Sequence, residues 1–301
     1  TSTQASAITA NTAKTGITST QASAIIANSA KVSGATSVTG LSDGLVEDNS
    51  IYIGNDPSSS TSTAEYNVGV GKNVLSSITT GDRNVGMGYK ALNANTSGRD
   101  NAALGREALM SNTDGEFNVA IGAGALLTST SADQNVAIGY GAMYYNSTGE
   151  SNVGLGVRAL RSNTTGDENT ATGSNALYTN TTGNQNTAMG YRSLYSNTTG
   201  TKNIAIGHGA YDNADTEHNN LAIGWSALGG AINGGEYNIA IGNYSLAANT
   251  TGDHNIGIGY ASLDDNTTGN ENTALGGYTL FRNTTGSYNT ATGKGALYYN
   301  T

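Results

Sequence analysis

The sequence predicts an all-β fold, a parallel β-solenoid of the β-roll kind wound from 17-residue coils. Three observations predict it. An Asn recurs at 67, 84, 101, 118, 135, 152, 169, 186, 203, 220, 238, 255, 272 and 289, always seventeen residues apart except for the eighteen between Asn220 and Asn238. A Gly follows each of these fourteen Asn four places later, as in Asn118/Gly122, Asn135/Gly139, Asn186/Gly190 and Asn255/Gly259. Composition agrees: 42 Gly, 12% charged residues and a single Pro suit turns and short strands better than helices.

Two near-identical 17-residue copies open the chain. Thr3-Gln4-Ala5-Ser6-Ala7-Ile8 returns as Thr20-Gln21-Ala22-Ser23-Ala24-Ile25, and Asn11 as Asn28. Their Ala-rich composition, with Gln4, Ile8 and Asn11 on one helical face, predicts a short trimeric coiled-coil stalk over 1–34, with Asn fixing register. Gly16 interrupts the seam, so a loose linker is the rival reading. Residues 35–49 read as a connector. The solenoid is expected over 50–301, about fifteen coils, which at a rise of about 4.8 Å make a rod roughly 70 Å long. Its first coil is atypical: Ser50-Ile51-Tyr52-Ile53-Gly54 keeps the strand, but Pro57 and Ser58 stand where later coils have a small residue and Leu. That is how a cap looks.

Within a coil, the residue after the Asn is usually Val, Ile, Leu or Thr, the next is always Ala or Gly, and the third is again large or Thr. Val119-Ala120-Ile121 and Ile239-Ala240-Ile241 are the clearest copies. This period-two pattern predicts a short strand. The large residues are expected to point into the coil and the small ones to face something that approaches closely. Eight places after the Asn comes Leu in twelve of fourteen coils, with Met143 and Tyr211 the exceptions. The turn Asn-Thr-Thr-Gly follows, intact at 163–166, 180–183, 197–200, 249–252, 266–269 and 283–286. The one inserted residue falls between Gly229 and Tyr237, where a turn tolerates it and a strand would not.

About three large inward residues are a thin core for seventeen ordered ones. With the small-residue column free to serve as a close packing face, an oligomer is expected, with a tight monomeric coil as the alternative.

The Asn-Val-Ala-Ile-Gly strand, the small-Leu pair and the Gly-containing turn resemble the head repeats of trimeric autotransporter adhesins. Together with the Gln-Ala-Ser-Ala-Ile…Ala-Asn-Thr-Ala-Lys segment they look most like bacteriophage tail-fibre proteins. The resemblance implies left-handed β-rolls, an intertwined or side-by-side homotrimer, and a fibre that touches a host surface. The unit here is longer than that family's usual one, through an enlarged Asn-Thr-Thr-Gly turn.

Several function classes are excluded or disfavoured. A formal charge of -9 argues against nucleic acid, which needs clustered Lys and Arg. No apolar run approaches the roughly 20 residues that cross a bilayer, so no membrane insertion is expected. Cysteine is absent. The chain opens Thr1-Ser2-Thr3-Gln4 without a charged or apolar leader and closes mid-repeat at Asn300-Thr301, which reads as a fragment of something longer. His208, His218 and His254 are scattered, and Gly207-His208-Gly209 recurs at coil period rather than in a nucleotide fold. The carboxylate pairs Asp167-Glu168 and Asp264-Asp265 suggest glycan cleavage at most, and acids that recur just before the Asn read better as solvated turns. No catalytic residue, cofactor or metal is assigned. Ca²⁺ held by those turn acids is the one candidate ion, although the spacing matches no recognised calcium repeat. Asn-X-Thr/Ser sequons at the turns are read as turn formers.

Because repeats fix the scaffold and free the surface, the variable columns are the candidate contacts. Tyr89, Tyr140, Tyr191, Trp225 and Tyr260 sit five places after the Asn; Tyr66, Phe117, Tyr237 and Tyr288 sit immediately before it. Such aromatics suit sugar rings or protein partners, the rival being rings packed along the stack or in a subunit interface. Tyr89, Tyr140 and Tyr191 lie three coils apart, too far to stack on one another. The function expected is that of a non-enzymatic fibre in a phage tail, extracellular, partnered with itself and with a host cell-surface glycan or protein. The head of a bacterial surface adhesin is the alternative, and an ice-binding solenoid, for which Thr is too concentrated in turns, stands third.

Overall fold

The computed structural model describes residues 44–47, 49–54, 57, 61–230 and 233–300. The expected stalk over 1–34, most of the connector and Ser58 lie outside the described residues. One 16-stranded sheet runs through the molecule in strictly sequential order. β1 (Gly44–Glu47) pairs antiparallel with β2 (Ser50–Ile53). The end of the connector therefore forms a hairpin that covers the first edge of the solenoid, where an open strand edge would invite foreign pairing. From β2 onward every pairing is parallel, one three-residue strand per coil from β3 (Val68–Val70) to β16 (Thr290–Thr292). Identical positions face each other: Ala120 pairs with Ala137, and Leu221 with Ile239 across the inserted residue.

Each coil hydrogen-bonds to the next nearly all the way round. Val119 N–H donates to the Asn135 carbonyl at 2.8 Å, Leu126 N–H to Ala142 at 3.1 Å and Thr164 N–H to Thr181 at 2.9 Å. The turn segments are thus laddered as fully as the strands, which satisfies their buried backbone groups.

The interior corrects one expectation. In every coil from Asn67 onward the small residue is inward: Ala120, Ala125 and Leu126 are fully buried, while Val119 and Ile121 face out. Ala or Gly is required in the strand because the opposite wall, carrying the small residue and Leu, lies immediately behind it. A Cβ on Gly69 would come 3.2 Å from Val74 Cγ1, and one on Gly154 3.0 Å from Met143 Cγ. The small column is therefore the inner lining of the coil rather than a chain-to-chain packing face. The interior is thinner than expected, with one Leu and two small residues per coil.

Asparagines fill the rest. Asn118 Nδ2 donates to the Ala132 carbonyl at 2.7 Å, closing its own coil, and its Oδ1 accepts the Asn135 N–H at 3.0 Å. The same bonds hold Asn135, Asn186 and Asn255. A second ladder joins the turn asparagines, with Asn180 Nδ2 donating to Asn163 Oδ1 at 2.7 Å. The glycine four places after the Asn takes a φ that only Gly adopts comfortably, 127° at Gly122, and a Cβ there would stand 2.5 Å from the Gly139 carbonyl oxygen. That accounts for the unbroken column at Gly122, Gly139, Gly190 and Gly259.

Candidate functional site

Turning the strand inside out has a functional consequence: its large side chains form an outer face. Val85, Met87, Leu104, Ile121, Ile138 and Met189 are 37–46% exposed. Over fifteen coils the two columns make a strip roughly 70 Å by 10 Å, on the order of 700 Å². Monomers seldom leave an apolar patch of that size open, and it approaches the roughly 800 Å² per partner of a stable interface. Only the coils with Thr170 and Thr172, and with Thr290 and Thr292, show Thr in both outward places.

The candidate aromatics border this strip on either side. Tyr66, Tyr89, Phe117, Tyr140, Tyr191, Trp225, Tyr237, Tyr260 and Tyr288 are all exposed, from 42% to 76%. Some are brought together with rings of adjacent coils. Tyr191 meets His208 at 5.1 Å, and Tyr237 stacks on His254 at 4.9 Å. Trp225 meets Tyr244 at 4.9 Å; Tyr244, Tyr260 and Tyr278 continue the row edge to face at 6.0 and 5.2 Å. Tyr89 has Lys90 over its ring at 5.5 Å. Tyr66, Phe117, Tyr140 and Tyr288 have no ring partner among the described residues. Packing along the stack therefore takes up one part of the candidate set and leaves another part open.

A further column was not singled out from sequence. The residue after the buried Leu is half-buried on the wall opposite the strand, and in successive coils it is Tyr144, Arg161, Tyr178 and Tyr195. That this wall faces the strand across the interior is fixed by Ser245 Oγ, which donates to the Gly257 carbonyl at 2.8 Å. Tyr178 and Tyr195 stack at 5.1 Å and 11°, and Tyr144 meets Tyr145 edge on at 4.7 Å. The Arg161 guanidinium lies 5.5, 5.0 and 5.6 Å from the rings of Tyr144, Tyr145 and Tyr178, and Arg192 lies 4.4 Å over Tyr195. The signal was present as tyrosines 34 and 17 residues apart, at 144, 178 and 195, hidden because the Leu seemed to lead straight into the turn.

The acids before the Asn have a backbone task. Asp133 Oδ1 accepts the Glu116 N–H at 2.7 Å, Asp167 Oδ1 accepts the Glu150 N–H at 2.8 Å, and His218 Nδ1 accepts the Thr201 N–H at 2.9 Å. One oxygen of each of these carboxylates is thus engaged across the coil boundary. Among the described residues no group of three or more His, Asp or Glu is arranged to hold a metal ion. In the other acid pair, Asp265 meets Arg282 at 3.3 Å. Burial, and then the Asp265 charge, lift the neighbouring Asp264 carboxyl to about 6.

Comparison with protein-family models, with curated proteins and with solved structures yields no match, so the reading of these surfaces rests on their geometry and the sequence pattern.

Proposed function

We propose that the chain is a non-enzymatic structural fibre protein, part of a phage tail fibre that attaches to a host surface, and that it works as a homotrimer. The outward apolar strip supports this reading. A stiff, laddered rod is a spacer by construction, and its strip repeats the same two columns at every coil. A second copy set alongside at the same height meets an equivalent residue at each step, which is how a closed symmetric assembly is built. Three copies turning their strips to a common axis would bury all of them and supply the apolar burial that one Leu per coil does not.

Immunogold electron microscopy of the source culture, with an antibody against residues 50–301, tests the assignment. Label on particle tails is the expected result. Label confined to the cell envelope would move the protein to the surface-adhesin alternative, and label only inside cells would contradict attachment altogether.

A further inference from the structure

Resting on the fibre reading above, we propose that the wall opposite the strand carries a binding site for an acidic polysaccharide, built from Arg161 with Tyr144, Tyr145, Tyr178 and Tyr195. Position is the first ground. If partner copies cover the strip, the aromatics beside it lie at or against the interface, and the opposite wall is the broad surface left to a ligand. Four consecutive coils, those starting at Asn135, Asn152, Asn169 and Asn186, contribute the cluster there.

Arg161 is the second ground. Arg83, Arg99, Arg106 and Arg282 each have a carboxylate within 4 Å. Arg161, like Arg158 and Arg192, has none among the described residues, in a chain of formal charge -9, and of these three it alone lies among three rings. Its only hydrogen bond there is from Nη1 to the Tyr178 hydroxyl at 3.2 Å. The remaining N–H groups of the planar fork are free to grip a carboxylate, the geometry for which guanidinium is best suited. The three rings around it hold the cation in place by their faces.

Shape is the third. The cluster runs about 15 Å along the stack at the coil rise, with four half-buried or exposed phenols along it. That suits an extended chain of uronic-acid-type sugars better than a small molecule. Arg192, over Tyr195 in the last of these coils, adds a second cation, and Asp212 of the next coil marks the end of the positive stretch.

The test uses the full chain in biolayer interferometry against immobilised alginate, a polyuronate, and against neutral dextran, with the molar mass of each preparation measured alongside. Alginate should bind and dextran should not. Arg161→Gln should weaken alginate binding about tenfold, the cost of one charge-assisted pair, with Arg161→Lys in between and Lys72→Gln, which removes an exposed cation in the coil starting at Asn67, unchanged. Equal binding of dextran, a loss with Lys72→Gln but not with Arg161→Gln, or an oligomer that ignores alginate would each overturn the site. The last of these leaves the fibre reading standing, whereas a monomeric preparation would count against the fibre itself.

Discussion

Asn163 donates from Nδ2 to the carbonyl oxygen of Gly166 at 2.8 Å, while its Oδ1 occupies the space where a Cβ on Gly166 would come within 2.5 Å. The Gly makes room both for the Asn and for the Gly183 carbonyl oxygen of the next coil. Its φ is not in the left-handed region, so space rather than backbone freedom selects it. The pairing runs through the chain: Asn95, Asn112, Asn146, Asn180, Asn197, Asn249, Asn266 and Asn283 are each followed three places later by Gly. Where the Asn is lost the Gly is released, as in Thr61/Ala64, Ser129/Ala132 and Ala214/Glu217; Ile78/Gly81 keeps the Gly because the Ile78 side chain fills the same space.

Ser129 breaks the inner ladder and leaves Asn112 Oδ1 buried without a partner. Ser129→Asn alone should destabilise by about 1 kcal/mol, because the new side chain meets the Ala132 Cβ. Ser129→Asn with Ala132→Gly should gain about 1–2 kcal/mol by restoring the bonds. Denaturant unfolding of the two singles and the double measures the coupling, and additive singles would contradict this pairing.

Asn118→Ala should cost about 3 kcal/mol, since it strands the Ala132 carbonyl and the Asn135 N–H inside the coil. Gly122→Ala should cost more than about 3 kcal/mol, because a left-handed φ and a backbone clash act together. Thermal unfolding ranks both against wild type, and a loss below about 1 kcal/mol in either would speak against tight stacking.

Asp264 sets a pH dependence. Its carboxyl titrates near 6 in the folded chain against an ordinary 3.8, so the folded state favours the protonated form. Its contribution is fully present below 3.8 and is lost as the pH rises through 6. Asp264→Asn should therefore raise stability at pH 7.5 by about 1 kcal/mol, a figure discounted for partial exposure. The gain should fade as the pH falls through that window; a gain that is constant with pH would rule out this origin.

Ile121→Asp with Ile138→Asp puts charge on the outer strip and leaves the interior alone, because both side chains face out. The variant should lose assembly, read as a lower sedimentation coefficient and a lower melting temperature. An unchanged coefficient would mean that the strip is not an interface.

The sequence carried the solenoid itself, because Asn118, Gly122 and their equivalents mark the coil at fixed spacing and each has one geometric task. It misled on which way the strand faces. Val119-Ala120-Ile121 alternates in the same way whether Ala or Val points inward, and the choice is made by the closeness of Ala125 and Leu126 on the opposite wall, which a period cannot express. The Tyr144–Arg161–Tyr178–Tyr195 track was hidden for a related reason. A coil has three left-handed residues, such as Arg158, Leu160 and Glu168 with φ of 58°, 50° and 57°, and these turn the chain where simple alternation would keep it straight.

The molar mass of the full chain in solution, by light scattering coupled to size exclusion, tests the central claim most directly. A covered strip requires about three times the chain mass of 30.5 kDa. A stable, folded species at one chain mass would leave some 70 Å of outward Val, Ile and Leu in water and contradict the fibre.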